Sequence, residues 1–557
     1  MNAHRIDHIR RILEEGPPHI GAETEGIVTD TRTLQIIHRL GGQQPTQAIQ
    51  DALSGGDSLR SFVTPDVPET TVEANPPPLH SGMATAASQR LMAILIDTAL
   101  QDINRRQGSH GQLLHGAAWR PPHTNIDDAS ASAPPFKRSY YRFQIARHRD
   151  KVGAAAGDHL NLSAPWFTGL NDAEMSRKII EMTARMRLIG GALSIALTAA
   201  SPLYFSAGIA HPDPIYGTAI TPWESARLGH VWPGRTIMDV SGMYGNPVTF
   251  RRTMRRFAQD GTLLSGRDVW LIARAQPGPT APGPSYAEIC ETLGLDVDTP
   301  EGEAQASQLL HACFFHGPVN PENPLRADLR WQQMEAWRQE MLERLIRAPR
   351  NRVEIRTLET PPAFAADSPG GDYQTPYAWL RGVHTFLELL FIFLSETPDF
   401  VEDLEYGELE LQAAKHNEQA VLLQGMDAQI RWIPRMHQMP IRELLRRLLK
   451  RMTPLAKALD RHEELAPLWA VAQGGLEPPA ARMRMEAAAW YGIDTQNRHN
   501  ARLLPDDSYP HALLRRSRAA MDRELEQIRA DLPRIPAADR PFLQQLLDTI
   551  SASRSPA

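Results

Sequence analysis

The sequence predicts an α+β fold in which helices pack on the outer face of a curved, mostly antiparallel sheet. Helical and strand-like segments are interspersed along the 557 residues without the regular βαβ spacing of a parallel sheet. The Gly-rich loops GxGxxG and GxxxxGK[ST] and the GxSxG elbow are all absent from the sequence. Rossmann, P-loop and α/β-hydrolase folds therefore have no support.

The helices are predicted from apolar residues that recur at intervals of three and four. The predicted helical segments are 86–105, 172–199, 331–346, 377–394, 441–459 and 511–532. The predicted strands are 20–30, 70–74, 138–147, 157–163 and 352–358. Four leucines of the fifth helix share one face, which predicts core contacts; they are Leu444, Leu445, Leu448 and Leu449.

The composition is that of a globular protein. Hydrophobic residues make up 42% and charged residues 22%, which excludes a disordered chain, a collagen and a coiled-coil rod. The formal net charge of −6 gives no electrostatic reason to expect nucleic acid or a membrane as a partner. We expect small-molecule substrates instead.

Two cysteines, Cys290 and Cys313, are too few for a disulfide framework and lack metal-ligand spacing, so we expect a reducing cytoplasm. The N-terminal segment has no apolar stretch typical of a signal peptide. The uncharged stretch 188–210 is interrupted by Ser, Thr and Pro and is predicted to be a buried helix followed by a loop.

The predicted organisation is one catalytic domain over residues 1–460 and a helical region, 461–557, packed on it. The tail 551–557 is predicted to be disordered. Proline-rich segments at 121–135 and 276–285 are predicted to be surface loops or insertions.

Three predicted strands carry polar residues in pairs at positions i and i+2. The pairs are Glu23/Glu25, His159/Asn161 and Glu354/Arg356. Residues at i and i+2 of a strand point to the same face, so each strand presents a polar patch on one side. In the last two strands the other side is apolar, with Leu160, Leu162, Val353 and Ile355.

A fourth segment, 66–76, adds Asp66 and Glu73 to this set. If the four segments line one face, their carboxylates repel each other, which favours a divalent cation. Oxygen ligands with one imidazole suit Mg²⁺ or Mn²⁺ better than Zn²⁺. Acids beside an arginine also match what nucleotide phosphates bridged by Mg²⁺ require.

Each pair taken alone has a structural explanation as well. A Glu-x-Glu strand is compatible with a solvated sheet face, and His159 with a hydrogen-bonded core histidine. Glu354 and Arg356 are compatible with a same-face ion pair. The combination and order of the pairs, rather than any single one, indicate a site.

In that order the motifs resemble those of the glutamate–cysteine ligase family of carboxylate–amine ligases. The matching motifs are Gly21–Glu25 (Gly-x-Glu-x-Glu), Asp66 with Glu73 and Pro76, Gly157–Ser163 (Gly-x-His-x-Asn-x-Ser), Ser201-Pro202, Glu354–Glu359 (Glu-x-Arg-x-Leu-Glu) and Asn417–Gly425. The resemblance covers about residues 20–460.

The resemblance implies a glutamine-synthetase-like fold, with a bowl-shaped active site, and an ADP-forming ligase. ATP would phosphorylate the γ-carboxylate of glutamate, and an amine such as cysteine would attack the acyl phosphate. The implied ligands of two or three Mg²⁺ ions, with Mn²⁺ as an alternative, are Glu23, Glu25, Asp66, Glu73, His159 and Glu354. The implied catalytic residues are Arg356 and Glu73, and the implied cofactor- and substrate-binding residues are Arg356, Asn161 and Arg235.

Two positions depart from the family pattern. Leu160 stands where the family often has Tyr, and Asp158 replaces a small apolar residue. The resemblance puts both near the amine pocket, which leaves open whether the acceptor is cysteine or an amine of different shape or more basic character. The alternative functions are a phosphotransferase on the same fold and a nucleotide-binding protein that forms no amide.

Overall fold

The computed structural model describes residues 3–53, 57–66, 71–115, 118–119, 154–166, 178, 182, 185–205, 209–210, 214–215, 218–230, 243–244, 352–365, 373–397, 408–433, 436–493 and 502–554. Its strands are β1 (His19–Asp30), β2 (Val63–Asp66), β3 (Thr71–Ala74), β4 (Gly111–Leu114), β5 (Ala118–Trp119), β6 (Ala154–Ala155), β7 (Asp158–Ser163), β8 (Leu203–Phe205), β9 (Ile209–Ala210), β10 (Pro214–Ile215), β11 (Ala219–Ile220), β12 (Met243–Tyr244), β13 (Val353–Leu358), β14 (Gln429–Trp432), β15 (His437–Pro440) and β16 (Arg502–Leu503).

The helices of the described residues are α1 (Ala3–Glu15), α2 (Pro45–Ala52), α3 (Asp57–Arg60), α4 (Gly82–Gln107), α5 (Gly191–Thr198), α6 (Ala226–His230), α7 (Pro376–Glu396), α8 (Glu408–Gln424), α9 (Ile441–Ala458), α10 (Ala466–Ala472), α11 (Pro479–Tyr491), α12 (Ser508–Asp531) and α13 (Arg540–Arg554). A π-helical segment, Met186–Gly190, precedes α5. The predicted helix 331–346 and strand 138–147 lie outside the described residues.

A seven-stranded antiparallel sheet is the centre of the fold. Its strand order is β12-β13-β7-β1-β3-β2, and β4 pairs with the end of β1. β1 is long enough, at 12 residues, to pair with β7 through its first half and with β3 and β4 through its second. The predicted mixture of helices with an antiparallel sheet is confirmed. A smaller sheet, β16-β11-β8-β5-β6, contains one parallel pair, β5 with β8.

One face of the central sheet is apolar and packs on helices. Leu160, Leu162, Val353 and Ile355 are fully buried in one core cluster with residues of α5 and α7. The predicted apolar side of β7 and β13 is therefore confirmed, and their polar side chains point the other way. The four leucines of α9 are buried in the same cluster, as predicted.

Helices α4 and α7 cross behind the sheet, and their starts are fixed by side-chain caps. Ser81 accepts a hydrogen bond from the Ala84 N–H and Thr375 accepts one from the Ala378 N–H. Gly82 permits the close crossing, because a Cβ there would meet the backbone of His384 at 2.5 Å.

Within the described part of the chain, α7 is the helix long and apolar enough to cross a bilayer, and 94% of its apolar window is buried inside the protein. In the stretch that the sequence singled out, 188–210, the helix is α5, which is buried throughout. Short strands follow it rather than the predicted loop alone, because Leu203–Phe205 pairs with β5 and β11.

The C-terminal helices share a hydrophobic core with α4. Leu525, Leu543 and Leu547 belong to the same cluster as residues of α4. Arg90 of α4 also donates two hydrogen bonds of 2.9 Å to Glu524 of α12, and both side chains are buried. The division into 1–460 and 461–557 stays a prediction.

The predicted disorder of the tail is wrong for residues 551–554, which continue α13. The Ser551 and Ser553 hydroxyls donate 2.8 Å hydrogen bonds to the carbonyls one turn earlier. Arg554 reaches Asp522 of α12 at 2.5 Å. These contacts hold the last turn of the helix in place.

Candidate active site

The register of the central sheet brings the predicted polar residues to one face. Glu23 lies opposite His159, and Glu25 lies opposite Glu73. Asn161 lies opposite Glu354 across the next strand pair. Directly opposed residues of antiparallel strands point to the same side, so strands far apart in the sequence contribute to one cluster.

His159 is at the centre of this cluster. Its Nδ1 is 2.8 Å from Glu23 Oε2 and 3.8 Å from Glu354 Oε1, and its Nε2 is 3.6 Å from Glu25 Oε1. The Asn161 amide donates to the other Glu23 oxygen at 3.1 Å. Three carboxylates therefore surround one buried imidazole, which is more negative charge than the imidazole alone can balance.

Glu25 and Glu73 are oriented by their neighbours at the other end of the cluster. The Gly157 N–H donates to Glu25 Oε2 at 2.8 Å, and the Thr64 hydroxyl donates to Glu73 Oε2 at 3.3 Å. Both carboxylates are buried, with 6% and 9% of the residue exposed. Burial of adjacent carboxylates is costly unless a cation compensates them.

Arg356 enters the cluster from β13. Its Nη1 is 2.5 Å from Glu354 Oε1 and 3.2 Å from His159 Nδ1. The same-face ion pair that the sequence allowed as a structural explanation is thus present. It lies within the cluster of acids, where the sequence also predicted a phosphate-binding arginine.

Burial lowers the pKa of His159, and the nearby Arg356 charge lowers it further. The imidazole is therefore neutral, and we assign its proton to Nδ1, where it is donated to Glu23. This leaves the Nε2 lone pair directed into the site. Among the described residues, Nε2 of His159 and Oδ1 of Asn161 are buried and have no hydrogen-bond partner.

These features fit a hard divalent cation. Ligand atoms of Glu23, Glu73 and His159 all lie within 4.8 Å of one another. The donors are carboxylate oxygens with one neutral imidazole, and Glu23 holds that imidazole in the ligating tautomer. The unpartnered Nε2 is the observation that a purely structural histidine does not explain.

A cavity of about 420 Å³ opens beside the acids. Its walls are formed by residues of β1, β3, β7 and the segments that flank them; they are His19, Gly21, Ala22, Glu23, Glu73, Asn75, Pro76, Pro78, Asn161, Ser163 and Arg352. Glu23, Glu73 and Arg352 all line it, so the cavity carries both signs of charge.

Arg352 is a candidate functional residue that the sequence reasoning missed. It precedes Glu354 by two positions, so strand alternation would have placed it on the polar face. Its guanidinium is 4.0 Å from Glu354 Oε2, and 53% of its side chain is exposed. A cation held beside the acids and open to the cavity is suited to bind a substrate carboxylate.

The contacts described above do not include two of the predicted residues, Asp66 and Arg235. Asp66 ends β2, opposite Thr71 and two residues from Thr64. Arg235 lies outside the described residues. The role of each predicted residue stays a prediction, whereas the shared location of Glu23, Glu25, Glu73, His159, Asn161, Glu354 and Arg356 is observed.

The expectation that Asp158 and Leu160 shape an amine pocket is wrong for this face of the sheet. Both alternate with His159 and point to the opposite side, where Leu160 is in the core. Asp158 accepts a 2.6 Å hydrogen bond from Thr360, and burial, the largest effect, raises its pKa to about 6. These two residues give no information about the amine.

Comparison with solved structures gives the fold a known counterpart. The glutamate–cysteine ligase of Francisella tularensis, solved in complex with AMP, superposes with a TM-score of 0.50 over 96% of this chain and 93% of that one. The chain has the fold of a glutamate–cysteine ligase. Sequence identity is 15%, so the likeness concerns the fold.

A bifunctional glutathione synthetase from Pasteurella multocida gives the same TM-score, 0.50, at 11% identity. The match covers 93% of this chain and 55% of that protein, so this chain spans about half of its length. No protein-family model matches the sequence, and no curated protein matches it significantly. The resemblance that the motifs indicated is thus supported by three-dimensional structure.

Proposed function

We propose that this protein is an ATP-dependent carboxylate–amine ligase that forms ADP. The observation that carries the proposal is the convergence of carboxylates, one neutral imidazole and Arg356 on one sheet face beside a cavity. The fold shared with a glutamate–cysteine ligase supports it. We further propose that this face is the concave side of a bowl, as in the glutamine-synthetase-like fold.

The acids of the cluster are proposed to hold two or three Mg²⁺ ions that accompany ATP, with Mn²⁺ as an alternative. The residues that would hold them are Glu23, Glu25, Asp66, Glu73, His159 and Glu354. The metal would neutralise phosphate oxygens during transfer. Arg356 is proposed to bind the γ-phosphate, and Asn161, whose Oδ1 is unpartnered, to contribute to nucleotide binding.

The proposed reaction has two steps. A carboxylate oxygen of the first substrate attacks the γ-phosphorus and ADP leaves, which gives an acyl phosphate. The nitrogen of an amine then attacks the acyl carbon, phosphate leaves with the carboxylate oxygen, and the nitrogen loses a proton. Most of the acceleration in such steps comes from positioning and from fixed charges, which the buried cluster supplies.

Glutamate is the proposed carboxylate substrate, with its γ-carboxylate at the acids and its α-carboxylate at an arginine. Arg352 is suited to that role because it lines the cavity and is charged and exposed. Arg235 remains a second candidate from the sequence. We propose an amino compound, cysteine included, as the acceptor and a cytoplasmic location.

The test combines glutamate, ATP, Mg²⁺ and a library of amines, with ADP release and mass spectrometry of the products. We expect ADP together with a γ-glutamyl amide of one or a few amines. The matched variant Glu25→Gln keeps the size of the side chain and removes its charge, and should abolish both products. A stable phosphorylated compound without amide would instead establish a phosphotransferase.

A further inference from the structure

Strand β13 contains a bulge at Arg356. Ile355 is opposite Leu160 and Leu358 is opposite Asp158, so Arg356 and Thr357 together face the single residue His159. An extra residue of this kind interrupts the ladder and re-aims a side chain. Alternation with Glu354 already places Arg356 on the face of the acids, and the extra residue after it returns Leu358 to the core, where it is fully buried.

The bulge is held from behind by Arg227 of α6. Its Nη2 donates a 3.0 Å hydrogen bond to the carbonyl of Arg356, and its Nη1 is 3.5 Å from the carbonyl of Leu358. Arg227 is buried, with 6% exposed. The guanidinium therefore bridges two carbonyls of the bulge, and its planar fork suits that geometry better than a lysine would.

Gly157 provides the space for this guanidinium. A Cβ added at Gly157 would overlap the guanidinium carbon of Arg227. Gly157 also donates its N–H to Glu25. Steric exclusion thus explains why glycine occupies the first position of the Gly-x-His-x-Asn-x-Ser motif in this chain. A side chain at residue 157 would occupy the space that the Arg227 guanidinium fills.

We propose that Arg227 is a positioning residue that holds the β13 bulge, so that Arg356 meets the transferring phosphoryl group. The inference rests on the proposed function for the role of Arg356, but the clamp itself rests on the hydrogen bonds above. Arg227 is not among the residues that line the cavity described above, so it would act on the reaction through Arg356.

The test compares Arg227→Met with Arg482→Met. Arg482 is a matched control, because it is also buried and also donates to a backbone carbonyl, that of Tyr373 at 2.9 Å, which lies outside β13. Deuterium exchange should become faster in the 353–358 peptide of Arg227→Met and stay unchanged there in Arg482→Met. Mn²⁺ binding to the nucleotide-free protein should be the same in both variants, because the acids remain.

Arg227→Met should lower kcat about ten- to hundredfold and change KM less. This is the size of effect expected when a residue that positions a functional side chain is removed. Gly157→Ala should reproduce this loss and add little in the Arg227→Met background. Arg227→Met should also add little in an Arg356→Ala background. Unchanged exchange at 353–358, or a kcat equal to wild type, would overturn the inference; a wild type without ADP formation would overturn the proposed function instead.

Discussion

His384 gives a prediction whose size follows directly from the structure. It lies in α7 with 1% of its surface exposed, and neither ring nitrogen has a hydrogen-bond partner among the described residues. Burial lowers its pKa from 6.5 to about 3. As the pH falls below 6.5, the unfolded chain takes up a proton at this position that the folded protein does not.

The stability that His384 contributes is therefore present above pH 6.5 and is lost as the pH falls toward 3. At about 1.4 kcal/mol per pH unit, the loss is about 2 kcal/mol between about pH 7.5 and about pH 5. His384→Leu has similar volume and cannot ionise, so it should lose about 2 kcal/mol less than wild type over that range.

Urea unfolding followed by tryptophan fluorescence at both pH values measures this difference. Other titrating groups are common to the two proteins and cancel in the comparison. If the variant loses as much stability on acidification as wild type, the ring is not the buried, unpartnered base described above.

Three further predictions concern the site and the C-terminal helices. Arg90→Met leaves the buried carboxylate of Glu524 unpaired and should lower the free energy of unfolding by about 3–5 kcal/mol, measured by urea unfolding; a loss below about 1 kcal/mol would show that the C-terminal helices do not depend on this pair. Glu25→Gln should weaken Mn²⁺ binding, followed by electron paramagnetic resonance, while the melting temperature is unchanged or higher, because buried like charges are relieved; unaltered Mn²⁺ affinity would remove Glu25 from the ligand set. Arg352→Ala should raise KM for the carboxylate substrate about tenfold and leave KM for ATP unchanged, in steady-state kinetics; a rise in KM for ATP alone would place Arg352 at the nucleotide instead.

The site was predictable from the sequence to the extent that it depends on strand alternation. Glu23 with Glu25, His159 with Asn161, and Glu354 with Arg356 follow a period of two, and that period alone decides which face they share. The pairing of β1 with both β3 and β7 is a long-range property of the sheet. From the sequence alone, the shared site depended on the assumption that the four segments line one face of a sheet. The strand register shows that β1 does pair with both β3 and β7.

Other features of the site either left no signal in the neighbouring sequence or had a signal that was interpreted incorrectly. The bulge at Arg356 leaves no mark in the sequence, because the donor that holds it, Arg227, is more than a hundred residues away. Asp158 was assigned to the amine pocket by resemblance, although alternation with His159 already predicted that it faces away. Arg352 was overlooked although it begins the predicted strand 352–358, where alternation with Glu354 and Arg356 places it on the same face.

The most direct test of the account follows the oxygen atoms of the carboxylate. With glutamate carrying ¹⁸O in its γ-carboxylate, ATP, Mg²⁺ and an accepted amine, an acyl phosphate intermediate transfers one labelled oxygen to inorganic phosphate for each amide formed. We predict ADP and singly labelled phosphate in equal amounts by mass spectrometry. Unlabelled phosphate, or AMP with pyrophosphate in place of ADP, would contradict the proposal that this sheet face activates a carboxylate by phosphoryl transfer.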